Sequence, residues 1–224
     1  MAQVYVDDII FGDIIDAQAI EFSEEMKKEF EMSTVGELTY FLGLQVKQKK
    51  EGIFISQEKY DRNIVKKFGL DSKKHASTPM SSSTKLNVDS SGVEVSLTLY
   101  RSIIGSLLYL TASEPDIAFS VDVCARYQAA PKESHLTAVK RIKQYINGTP
   151  NYGFSCSKDS NACIASYSNA DWAGSVDDRK STSSDRFYLG NNLISWMSKK
   201  QNSVSFSTAE AEYIATGSCC TQLL

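Results

Sequence analysis

Histidine is scarce in this 224-residue chain, which holds only His75 and His135. A histidine-rich metal centre is therefore excluded. Long apolar runs are missing as well: nothing approaches the about 20 residues that a membrane-spanning helix needs, and no basic stretch followed by an apolar one opens the chain. Neither an anchor nor a secretory signal is expected, no membrane partner follows, and the expectation is an intracellular protein of cytoplasm or nucleus. The five cysteines, Cys124, Cys156, Cys163, Cys219 and Cys220, are odd in number, scattered and without a Cys-x-x-Cys pair. That pattern argues against both a disulfide framework and a zinc site and leaves buried or idle thiols. A net positive charge is also absent, since 24 Lys and Arg against 27 Asp and Glu give −3. This does not forbid nucleic-acid contact, because phosphates are met by local stripes of charge. Such clusters occur at Lys47, Lys49 and Lys50, at Lys66 and Lys67, at Lys73 and Lys74, at Lys140, Arg141 and Lys143, and at Lys199 and Lys200.

What is present suits an ordinary globular chain of one or two domains, with 42% hydrophobic and 23% charged residues. Gln3-Val4-Tyr5-Val6 and Ile9-Ile10-Phe11-Gly12 flank an Asp-Asp pair and read as two strands of a hairpin with Asp7 and Asp8 at its tip. By itself that is also an ordinary turn, since Asp bonds nearby backbone amides. From Asp16 to Phe30 apolar residues recur at helical spacing, with acids early and Lys27 and Lys28 late. Tyr40 to Lys47 and Gly52 to Ser56 predict strands, and Gln57 to Phe68 a helix stopped by Gly69. Ser72 to Ser96 is polar and Ser-rich, a connector that buries little. Helices are expected at Leu99 to Ala112, Pro115 to Tyr127 and Lys132 to Asn147, with Pro115 and Pro131 in first turns and Gly148 as the end. Beyond Tyr152, strands are expected at Tyr152 to Ser155, Cys163 to Ser168, Arg186 to Leu189, Leu193 to Trp196 and Val204 to Phe206. A last helix starts after Ser207 or Thr208, with Thr208 a good N-cap.

Several stretches carry a family resemblance: Tyr5-Val6-Asp7-Asp8, Gly36-Glu37-Leu38-Thr39-Tyr40-Phe41-Leu42-Gly43-Leu44, Ser77-Thr78-Pro79-Met80, Tyr100-Arg101-Ser102-Ile103-Ile104-Gly105, Lys140-Arg141-Ile142, Asp171-Trp172-Ala173-Gly174, Arg179-Lys180-Ser181-Thr182-Ser183, Ile194-Ser195-Trp196 and Glu210-Ala211-Glu212-Tyr213. Tyr5 to Asp8 resembles the polymerase box of reverse transcriptases, and the later motifs, in the same order, resemble the copia-type retrotransposon polyproteins along essentially the whole chain. The resemblance implies an α+β chain: a partial reverse-transcriptase palm hairpin and helical thumb, then an incomplete ribonuclease H-like sheet plus helix. The corresponding domains are a palm remnant at 1–80, a Ser-rich connector at 81–96, a thumb at 97–150 and a truncated ribonuclease H-like part at 151–224. It further implies Mg²⁺ as cofactor and an RNA/DNA template-primer duplex as partner. Asp7 and Asp8 would be polymerase metal ligands, and Lys140, Arg141 and Lys143 would meet the duplex through its phosphates.

The resemblance also exposes departures. The first ribonuclease H acid is expected in a Ser-Asp-Ala-Asp-Trp-Ala-Gly box, and this chain has Asn169 there, an amide without the charge that offsets desolvation of a divalent ion. Asp171 lies two residues along the same strand face and is, with Glu212, the catalytic candidate left in the ribonuclease H part, a substitute for the missing acid. Glu212 matches the second acid and would be its metal ligand, whereas Glu210 lies about 200° around the helix from it. Asp185 at the start of an inner strand is a buried-charge risk, and Glu114 stands where a basic residue is customary. With the third polymerase acid expected upstream of the hairpin and the later ribonuclease H acids beyond Leu224, the expectation is a fragment of a reverse transcriptase/ribonuclease H that is catalytically incomplete alone. A non-catalytic remnant that binds nucleic acid or another protein is the alternative.

Overall fold

The computed structural model describes residues 1–13, 15–68, 75–81, 85–149, 152–158 and 161–223. The helix stop expected at residue 69, the basic pair at 73–74 and residues 82–84 of the connector lie outside them. Helices and antiparallel sheets make an α+β chain, which divides into two compact units, Met1–Phe41 and Leu42–Leu224. Among the described residues no helix is long and apolar enough to cross a membrane.

In the first unit β1 (Ala2–Tyr5) pairs antiparallel with β2 (Asp8–Phe11), in a register running from Ala2 opposite Phe11 to Tyr5 opposite Asp8. Val6 and Asp7 are thus the two turn residues, and Val6 takes the left-handed φ of 51° that such a tight turn demands. Helix α1 (Asp16–Glu29) carries Asp16 in its first turn and Lys27 and Lys28 in its last, charges of the sign its dipole favours at each end. Phe22 turns inward and meets Phe11 with ring centroids 5.0 Å apart, while Ile20 and Phe30 face solvent. None of the unit's described hydrophobic side chains is fully buried. A two-residue strand, β3 (Tyr40–Phe41), closes the unit. The strand expected from Tyr40 to Lys47 is interrupted because Leu42 and Gly43 adopt left-handed φ values of 47° and 80°.

The second unit begins with β4 (Leu44–Lys49) and β5 (Gly52–Ser56), an antiparallel hairpin in which Lys49 faces Gly52. Helix α2 (Glu58–Lys67) follows, then α3 (Leu97–Leu110), a 3-10 turn at Pro115–Ile117, α4 (Ala118–Ala125) and α5 (Glu133–Gly148). Tyr100, Ile103, Ile104, Leu107 and Leu110 form one buried stripe of α3 at helical spacing and pack with Ile117, Val121, Cys124, Val139, Ile142 and Ile146. This is the main core.

The connector is not the detached linker that its composition suggests. Met80, Leu86 and Val95 pack against the core. Backbone bonds tie Val95 to Pro131 and Glu133 to Val93, the Tyr127 hydroxyl donates to the Leu86 carbonyl at 3.0 Å, and Ala76 donates to Gln144. A Ser-rich stretch can be strapped to helices by its backbone even when its side chains bury little.

Strand β6 (Gly153–Ser157) pairs with β5, with Ile55 opposite Phe154. Gly52 is required there, since a Cβ would lie 1.9 Å from the Cys156 carbonyl oxygen. Strands β7 (Ile164–Asp171), β8 (Thr182–Leu189) and β9 (Asn192–Lys200) form a separate antiparallel sheet in the order β7-β8-β9. Helix α6 (Thr208–Leu223) lies on it through Ala211, Ala215 and Cys219. The strand expected at Val204 to Phe206 does not form. That segment is a loop held by the Trp172 indole on the Ser205 carbonyl and by the buried Gln201, which bonds Ser183 and the Ala211 carbonyl. Ser207, not Thr208, caps α6: its hydroxyl accepts the Glu210 amide at 3.1 Å.

Candidate functional site

Asp7 sits in the turn of the β1–β2 hairpin and Asp8 opens β2, both exposed. Such carboxylates suit Mg²⁺, which takes one or two protein carboxylates and fills its other positions with water and phosphate oxygens. A pair of metals needs more ligands than this. Among the described residues no group of three His, Cys, Asp or Glu side chains could hold a metal ion.

In the second unit β7 and α6 bring together Asn169, Asp171 and Glu212. The Glu212 carboxylate accepts the amide of Ala170 at 3.1 Å, between the other two residues, and Ser168 and Thr216 share a hydrogen bond beside it. Asn169 is exposed. Asp171 accepts the Thr182 amide at 2.5 Å across the base of the long β7–β8 turn, and burial raises its carboxyl above the usual range against the pull of Thr182, Arg126 and Lys85. Trp172-Ala173-Gly174 and Arg179-Lys180-Ser181 build that same turn, with the Ala173 amide on the Ser181 hydroxyl at 3.0 Å and the Ser175 amide on the Lys180 carbonyl. Gly174 passes so close that a Cβ would lie 1.8 Å from Asp171 Oδ2. Two of the motifs singled out in the sequence therefore close one turn. Glu210 instead accepts the Phe206 amide at 2.7 Å, at the start of α6.

The basic trio on α5 is split by its environment. Lys140 is exposed, and Arg141 is half-buried with its guanidinium on the carbonyl and hydroxyl of Thr78. Lys143 is 1% exposed, so it cannot meet a phosphate from solvent as expected. The sequence held the reason: Val139, Ile142, Lys143 and Ile146 follow i, i+3, i+4, i+7, which places Lys143 on the apolar stripe.

Asp185 lies in the central strand at 1% exposure, and neither carboxylate oxygen has a hydrogen-bond partner among the described residues. Burial raises its pKa, which bears out the buried-charge risk. The sequence alone assigns His135 no role. This residue is fully buried, its Nδ1 accepts the Lys132 amide at 2.9 Å, its Nε2 lies 2.7 Å from the Asn87 carbonyl, and its ring stacks on Tyr127 at 4.2 Å. Its place at the third position of α5, directly after Pro131-Lys132, is the capping signal that could have revealed it.

Comparison with known proteins places the family model described as reverse transcriptase (RNA-dependent DNA polymerase) on residues 1–82. The chain is 39% identical over 94% of its length to the retrovirus-related Pol polyprotein from transposon RE1 of Arabidopsis thaliana, and 35% identical over 98% to that from transposon RE2 of the same plant. It spans 14% and 15% of those two proteins. An uncharacterized mitochondrial protein of Arabidopsis thaliana is 34% identical over 95% of the chain, which covers 88% of that protein. No solved structure gives a significant match.

Proposed function

Because this chain belongs to the Pol polyproteins of copia-type retrotransposons, we propose that it carries the carboxylate hairpin of a polymerase centre and a helical core that faces nucleic acid. It does not assemble a complete catalytic site from its own residues. The observation that carries this reading is the hairpin itself: Tyr5-Val6-Asp7-Asp8 presents two exposed carboxylates at a two-residue turn. In this reading residues 1–80 are palm, 97–150 thumb and 151–224 ribonuclease H-like. Asp7 and Asp8 would hold Mg²⁺, which when bound would offset the charge developing on a nucleotide's phosphates. The chain's own part is to present these two carboxylates at a two-residue turn. Lys140 is the member of the α5 trio free to approach a template-primer phosphate.

The non-catalytic alternative draws on the β7–α6 region. There the expected first acid is the amide Asn169, Asp171 is engaged with Thr182, and Glu212 is engaged with the backbone of β7. Primer extension on an RNA template with Mg²⁺, run beside Asp7→Asn and with duplex binding measured in parallel, tests both the incomplete centre and the nucleic-acid role. The expected result is no extension by either protein and salt-sensitive duplex binding that Asp7→Asn leaves unchanged. Extension abolished by Asp7→Asn would mean that the centre is complete, and an absence of binding at low salt would remove the nucleic-acid role.

A further inference from the structure

Three elements of the second unit converge on a buried group of charges that the polymerase reading does not use. Helix α2 contributes Asp61, the residue ahead of the Pro115–Ile117 turn is Glu114, and α5 contributes Lys143. Glu114 is 5% exposed and Lys143 1%. Asp61 Oδ1, Glu114 Oε2 and Lys143 Nζ are each buried without a hydrogen-bond partner among the described residues, and so is Asp116 Oδ1. The neighbourhood is joined by a buried bond from the Ser113 hydroxyl to Gln57 Oε1 at 2.9 Å and by the Tyr145 hydroxyl donating to Asp116 Oδ2 at 2.5 Å. Among the described residues, Glu58 and Arg62 on α2 also act on Asp61, and Tyr152 after α5 acts on Tyr145.

Unpartnered buried charges are held by one another's fields, and a change of one proton alters the balance for all. We propose that Asp61, Glu114 and Lys143 form a proton-linked latch, whose ionisation loosens the seat of α2 against the α3–Pro115 connection and α5. The inference does not rest on the polymerase reading.

Burial pushes the Glu114 carboxyl up from 4.5 to about 8, with Asp61 and Asp116 adding to the rise and Lys143 opposing it. Burial brings the Lys143 ammonium down from 10.5 to about 8, against the pull of Asp61 and Glu114. Asp61 is raised by burial too, in part offset by Lys143 and Arg62. For a raised carboxyl, the stabilisation is complete below its ordinary value and is lost as pH climbs through the folded value. Glu114 therefore weakens the fold progressively between about pH 4.5 and about pH 8. For a lowered ammonium, the stabilisation is complete above its ordinary value and is lost as pH falls through the folded value, so Lys143 relieves the fold between about pH 8 and about pH 10.5. The two limbs meet near pH 8, where the latch is loosest.

The test is urea unfolding of the full chain, Glu114→Gln, Lys143→Met and the double variant across this pH range. Expected is a ratio of folding constants, Glu114→Gln over wild type, that grows about tenfold or more from pH 5 to pH 8 and then levels. The corresponding ratio for Lys143→Met moves in favour of wild type above pH 8, and the effects of the two substitutions do not add. Parallel profiles for Glu114→Gln and wild type between pH 5 and pH 8 would overturn the proposal. Should a variant fail to fold, carboxyl ¹³C titration of the wild-type chain decides the matter, because a Glu114 midpoint near its ordinary value removes the latch.

Discussion

Three single residues show how little a residue's identity fixes its job until its surroundings are known. His135 serves as a bracket: its Nδ1 accepts the Lys132 amide and its Nε2 meets the Asn87 carbonyl. His135→Ala would leave two part-buried backbone groups without this partner and open a space beside Tyr127, and is expected to cost about 1–3 kcal/mol in urea unfolding; a loss below about 0.5 kcal/mol would deny the bracket. Asp185 is the opposite case, a buried carboxyl with no hydrogen-bond partner among the described residues. Its raised carboxyl stabilises fully below its ordinary value of 3.8 and loses that stabilisation as pH rises. Asp185→Asn should accordingly raise stability at pH 7 by about 1–3 kcal/mol and change it little near pH 4, so a variant less stable at pH 7 would contradict the buried charge. Gly174 is needed because Asp171 occupies the space of any Cβ. In a double-mutant cycle, Gly174→Ala should cost less in an Asp171→Ala background, by about 1 kcal/mol or more. Equal costs in both backgrounds would show that the two do not crowd one another.

Among the elements, stability is distributed unevenly. The β1–β2 hairpin and α1 bury no hydrophobic side chain completely among the described residues, and Val4, Val6 and Ile20 are 68%, 79% and 64% exposed. Helix α3 by contrast has five buried residues in the main core. Local opening follows such differences. Amides of β1 and β2 should exchange with little protection while those of α3 exchange only through global unfolding; comparable protection in the two would show that unit one is held more firmly than its burial implies. Strand β6 has a distinct task. It pairs with β5, and its Ser157 exchanges two hydrogen bonds with the Asn192 side chain at 2.6 and 3.0 Å, while Phe154 meets Trp196 edge-on at 5.3 Å. It therefore ties the two sheets of the second unit together.

For the molecule as a whole, a net charge of −3 leaves any nucleic-acid contact to local basic stripes. Lys140 is exposed where Lys143 is buried, so the two must differ in a binding experiment. Lys140→Ala should lower the salt dependence of duplex binding by about one unit of slope and leave the fold intact. A change of slope from Lys143→Met without loss of stability would show that the buried lysine reaches solvent after all.

Much of the architecture was legible because it depends on neighbours along the chain. The hairpin at Asp7-Asp8, α1, α2, α5 and strands β8 and β9 follow from periodicity, caps and residue preference. The likeness of Tyr5 to Asp8 to a polymerase box was equally local. Misreadings arose where distant residues decide. The Ser-rich connector was judged by composition, yet backbone bonds to α5 and its surroundings strap it down. Val204 to Phe206 has strand-forming residues, but Gln201, Ser205 and Trp172 hold it in a loop. The sequence by itself determined the element types, the hairpin with its two carboxylates and the family, all carried by local pattern. Only the tertiary structure decided that Lys143, on the apolar stripe of α5, is set near Glu114 and Asp61, that β6 joins β5, and that Asp171 spends its carboxylate on a turn. Those outcomes depend on which surfaces meet, and burial, charge and hydrogen-bond supply are properties of the meeting rather than of the residue.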